Sequence, residues 1–144
     1  MSLAETLDAA AAKKGELFER DFARFAVRAV LAGVYLTVST AFAGVVGNAV
    51  EQHAPGLGAV VFALLFGIGL FAIVVLNAEL ATGGMMFGSW AAAKGTASWG
   101  RAVWMVVAAT AFNLVGAFVV ALMLSQSAKL GAIDDGHLIA VLSE

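Results

Sequence analysis

Apolar residues in this chain fall into three long blocks, not at the spacing of a half-buried soluble helix. The blocks cover about residues 25–50, 57–93 and 102–124. A helix needs roughly 20 apolar residues to cross a hydrocarbon core, so the first and third each predict one membrane-crossing helix. The second block, residues 57–93, is too long for one crossing and too short for two with an ordinary turn. Its middle, Asn77-Ala78-Glu79-Leu80-Ala81-Thr82-Gly83-Gly84, sets an amide, a carboxylate, a hydroxyl and a glycine pair between runs of hydrocarbon. The pattern predicts one crossing built from two half-helices joined by irregular backbone over residues 77–84. Non-helical backbone at such depth is tolerated only where protein buries it or where it lines a watered cavity. Transport proteins use interrupted helices of this kind to bring dipoles and polar side chains near the midplane.

The polar segments complete an all-α membrane protein. Residues 1–24 mix alanines, Leu3, Leu7, Leu17 and Phe18 with charges and predict an amphipathic helix. It either lies on the membrane surface or serves as a solvated lead-in. Arg28 stands where it can snorkel to the interface. Ala41-Phe42-Ala43 has the small-x-small form of a signal-peptidase site, but the apolar run continues to Val50, which favours a retained span. Glu51-Gln52-His53-Ala54-Pro55-Gly56 reads as a loop. A second connection covers residues 94–101, with Trp99 and Trp104 suited to an interface. The expected organisation is a cytoplasmic amphipathic helix (1–24), a three-span region (25–124) and a polar tail (125–144), whose apolar run at 138–142 is too short to cross. Lys13, Lys14, Arg20, Arg24 and Arg28 precede the first span, and Lys94 and Arg101 flank the second connection. The positive-inside rule therefore places the N-terminus and that connection in the cytoplasm, with Lys129 a lone exception.

Composition narrows the function classes. The residues are 62% hydrophobic and 12% charged, with a mean hydropathy of +0.95, which names lipid as the solvent. A net charge of −2 offers no basic footprint for nucleic acid. The absence of cysteine excludes disulfides and thiolate chemistry, and His53 and His137 lie far apart outside the apolar blocks. No acid–base or nucleophile–base set is visible, so neither an enzyme nor a metal or other cofactor is expected.

Glu79 is the one acidic residue inside the apolar blocks, where an ionised carboxylate costs roughly 2.5–3.5 kcal/mol or more. It either lines an ion path or accepts hydrogen bonds from N–H groups freed at the break; the second reading is preferred. With Asn77 and Gly83 it forms the expected bend-stabilising set. Thr82, beside Gly83-Gly84, is a candidate to face a pore. Asn113 reads as an interhelical hydrogen-bond partner, and Gly84, Gly88 and Gly116 as packing positions where helices approach closely. Phe62, Phe66, Leu70 and Phe71 share helical spacing, as a lipid or core stripe or as a constriction.

Two stretches carry a family resemblance. Phe66-Gly67-Ile68-Gly69-Leu70 followed by 74–83 resembles the broken second helix of the formate/nitrite transporter family. Phe112-Asn113-Leu114-Val115-Gly116-Ala117 is similar to that family's third helix. The resemblance, over about residues 10–125, implies half of an aquaporin-like inverted repeat in a bacterial inner membrane. It implies a pentamer of identical chains, each with its own path for a small monovalent anion such as formate or nitrite. It further implies that Phe66 and Leu70 form the cytoplasmic-side constriction, that Thr82 borders the central cavity, and that Glu79 is the acidic residue of the bend.

The sequence departs from the family pattern in two ways. Ala81 stands where the family usually has phenylalanine. Family members pair two inverted three-span halves, the second supplying a central histidine, and neither His53 nor His137 matches it. The expected function is anion passage as part of a channel or transporter. The alternative is a truncated or degenerate half with an assembly role and no transport of its own. Three explanations fit the missing half: a fragment, which is preferred, a separately encoded partner half, or an inverted homodimer, against which the strong positive-inside bias argues.

Overall fold

The computed structural model describes residues 2–126, so the expectations for Lys129, His137 and the run at 138–142 lie outside the described residues. Five helices occur among the described residues: α1 (Leu3–Arg20), α2 (Phe22–His53), α3 (Gly58–Val75), α4 (Ala81–Ala93) and α5 (Trp99–Ser125). No strand accompanies them there.

Local chemistry sets most of the ends. Ser2 and Glu5 form a reciprocal capping box at the start of α1. Asp21 leaves the helical region (φ −140, ψ 63), and its carboxylate accepts the N–H of Arg24, so one residue ends α1 and opens α2. The predicted helix over 1–24 is thus two helices meeting at Asp21. Helix α2 runs through His53, which shortens the predicted loop at 51–56. Glu51 sits in the last turn of α2 and its two carboxylate oxygens accept the N–H groups of Gly56 and Gly58, both at 2.8 Å. An acidic group is thereby held at the N-terminal end of α3, where the helix dipole favours it.

Helices α2, α3 and α5 are each long and apolar enough to cross a membrane. Helix α4, with 13 residues, spans about 20 Å and is too short for the hydrocarbon core. The break in the second block is therefore narrower than predicted. It covers residues 76–80, and Thr82, Gly83 and Gly84, expected in irregular backbone, are in the first turn of α4. Asn77 has φ +53. It takes the left-handed conformation that asparagine tolerates better than other side-chain-bearing residues, and that commonly ends a helix. Residues 78–80 then lead to Leu80 in extended geometry (φ −85, ψ 139) as the N-cap of α4.

The described chain divides into two compact units, one of residues 1–33 and 77–116, the other formed by 34–76 with residues from 117 onward. In the first, α1 packs along α4, and fully buried Phe25 meets Met105 and Ala109, with Leu17 and Phe18 of α1 laid against them. Phe18 contacts Phe25 edge-on at 5.0 Å between ring centres, and Phe22 meets Phe112 at 5.8 Å. The apolar face of α1 is thus partly spent on protein, while Leu3 is left open. In the second unit, α2 and α3 approach closely at Gly58 and Gly69. A Cβ added at Gly58 would stand 2.7 Å from the carbonyl oxygen of Gly47, so only glycine fits this approach.

Candidate functional site: the helix break and its partners

The break covers residues 76–80, and the first unit supplies partners for the backbone polar groups of Glu79 and Ala81. The N–H of Glu79 donates to the carbonyl of Arg28 on α2 at 3.1 Å. Asn113 of α5 serves three backbone groups at once. Its Oδ1 accepts the N–H of Ala81 at 3.0 Å, and its Nδ2 donates to the carbonyls of Ala29 at 2.6 Å and Glu79 at 3.0 Å. Leu80 has no side-chain cap to offer, so α5 caps α4 from outside. This matters because the first N–H groups of any helix lack intrahelical partners.

Glu79 is 6% exposed. Its carboxylate pairs with the ammonium of Lys14 on α1. The expectation that loop N–H groups would hold this carboxylate is replaced by a cation from the N-terminal helix. The ammonium also lies 5.5 Å from the centre of the Phe87 ring and 4.0 Å from where a Cβ on Gly83 would stand. A compensated carboxylate, an ammonium and the positive end of α4 therefore meet in one place, with the exposed Thr82 on the first turn beside them.

Gly84 and Gly88 are buried on α4 and face α5. A Cβ at Gly88 would lie 3.2 Å from both the Ala102 Cβ and the Met105 Cε, and one at Gly84 would lie 3.6 Å from Val106. Gly116 is buried further along α5. Phe66 and Leu70 belong to α3 in the other unit, where the Phe62 and Phe66 rings stack at 6.0 Å. Thr82 and these two residues thus sit in different units.

Two polar residues of the first apolar block were not singled out by sequence. Ser39 hydrogen bonds to three backbone groups of α3. Asn48 is buried, and its Oδ1 has no hydrogen-bond partner among the described residues. Both stand inside the first apolar block, which was the available signal.

Two further ion pairs fasten α1. Asp8 accepts from Lys94 at 2.7 Å and from the Trp90 indole at 2.9 Å, and Glu19 meets Arg101 at 2.7 Å. A cleft of about 830 Å³ beneath α1 is lined by Asp8, Glu16 and Glu19 against Arg20, Lys94 and Arg101, so it has no net charge with which to favour an anion. The hydrogen bond from Lys94, then that from Trp90, hold the Asp8 carboxyl below its usual range. A lowered carboxylate pKa stabilises the fold above the unfolded value and is lost as pH falls through the folded one. The Asp8 contribution is therefore constant at neutral pH and fades below about pH 4. In a chain with Trp99 and Trp104 replaced by phenylalanine, Trp90 fluorescence is expected to change on acidification through that range, and Asp8→Asn to remove that change.

The formate/nitrite transporter family model matches residues 1–143. The chain belongs to the formate/nitrite transporter family. No match was found among curated proteins or among solved structures. Membership of this transporter family, together with three helices fit to cross a bilayer, makes the chain a multi-pass membrane protein with a role in transport.

Proposed function

We propose that the chain forms part of a path for small monovalent anions of the formate or nitrite type. The observation that carries this reading is the pairing of Lys14 with Glu79 at the start of α4. A lone carboxylate there would repel an anion. Compensated by an ammonium, and set beside a helix N-terminus, it leaves a locally positive environment instead. Thr82 offers a hydroxyl at the same turn, and Phe66 and Leu70 supply the apolar constriction that would make dehydration part of selection. Asn77, Glu79 and Gly83 then act as shapers of the bend.

Each candidate span buries only 17–22% of its most apolar stretch within the chain. That low burial supports completion of the path by other protein surfaces: a second three-span half and further copies, a pentamer by family resemblance. The N-terminus lies in the cytoplasm, by the charge asymmetry, and the membrane is the bacterial inner membrane. The same low burial also favours the second reading, an assembly partner without transport of its own.

Liposomes containing the chain, alone and with the second half of a full-length family member, distinguish the readings. Formate or nitrite flux in either preparation is the expected result. Silence in both, with the protein shown to be inserted, sinks the transport reading.

A further inference from the structure

Ser39 of α2 reaches the backbone hydrogen-bond ladder of α3. Its Oγ lies 3.2 Å from the carbonyl oxygens of both Leu65 and Phe66 and accepts the N–H of Gly69 at 3.1 Å. In an ideal α-helix the N–H of residue 69 pairs with the carbonyl of residue 65, so the hydroxyl bridges the two ends of one rung. Insertion of a side chain into this ladder is a recognised cause of local helix bending. The approach requires glycine at 69: a Cβ there would collide with the Ser39 side chain, with the Tyr35 carbonyl oxygen 3.4 Å away.

Phe66 lies within the bridged rung and Leu70 just after it; four residues apart, they share one face of α3. Any change in the rung turns both side chains together. We propose that Ser39 is the positioning residue that sets the aperture at the face of α3 carrying Phe66 and Leu70. The inference rests on the constriction reading given above and adds the element that tunes it. With the hydroxyl in place, its three contacts fix this turn of α3, whose Phe66 ring stacks on Phe62. Without it, the turn is released and the pair rotates.

The chain has no native cysteine, so Phe66→Cys, Leu70→Cys or Val103→Cys each introduces the sole thiol. The rate at which a small charged methanethiosulfonate modifies each thiol in proteoliposomes is measured with Ser39, with S39A and with S39T. S39A is expected to change the rates at positions 66 and 70 by about fivefold, the population shift that one hydrogen bond of ordinary net strength produces. S39T, which keeps the hydroxyl, restores them, and the exposed position 103 is unaffected throughout. Unchanged rates at 66 and 70 in S39A, or an equal change at all three positions, overturn the proposal. Phe66→Ala and Leu70→Ala variants with unaltered anion flux would instead remove the constriction reading, a result on which the thiol rates do not depend.

Discussion

Replacing Lys14 by methionine is expected to destabilise the protein by about 3 kcal/mol, the low end of what breaking a buried ion pair costs. The low end applies because the Lys14 side chain is 20% exposed, while that of Glu79 is only 7% exposed. The loss arises less from the missing attraction than from the carboxylate left buried without a counter-charge. Glu79→Gln should cost less, since the orphaned ammonium can reach water more easily. The double variant K14M/E79Q should recover much of the loss, which makes the pair a measurable coupling. Equilibrium unfolding of the purified protein in mixed micelles reads all three. Equal costs for K14M in the presence and absence of E79Q would show that the two side chains are not coupled.

Asn113→Leu should have an effect of similar size. The substitution keeps the volume but leaves the N–H of Ala81 and the carbonyls of Ala29 and Glu79 without their shared partner. Each buried polar group so stranded costs about 1–3 kcal/mol. The Ala29 carbonyl, inside α2, loses less than the other two groups, because a carbonyl that retains its helical bond is still partly satisfied. A total of about 3 kcal/mol is therefore expected. Amide hydrogen exchange offers a residue-level check, with protection lost first at Ala81 and the first turn of α4. Retained protection there would mean that α4 does not depend on its cap from α5.

The break was legible because hydrocarbon makes polar residues conspicuous. Asn77 and Glu79 have no reason to interrupt an apolar run unless backbone geometry or charge pairing is served. Its far boundary was misread because Thr82-Gly83-Gly84 is weak in helix propensity. Packing overrides that preference: at Gly88 a Cβ would crowd Ala102 and Met105 of α5, and Gly84 lies buried against the same helix, so neither serves chain reversal. The Lys14 partner of Glu79 was not legible at all. The two residues are 65 positions apart, and a lysine among other charges in an amphipathic helix carries no local sign that it will be taken inward. Asn113 was recognisable as a hydrogen-bonding residue between helices. Its service to three backbone groups depends on the extended geometry of 78–80, which sequence periodicity does not encode.

The external cap on α4 also dictates an order of events during synthesis. Glu79 finds its cation on a helix made 65 residues earlier, whereas Ala81 waits for an asparagine 32 residues downstream. As the chain leaves the ribosome, charge at the break can be neutralised first, and its open backbone groups only after Asn113 has emerged. Until then, α3 can enter the bilayer as an ordinary apolar segment. The short α4, with its first N–H uncapped, has reason to linger at the water boundary. Among the described spans, the latest to be made is thus the one that seals the break.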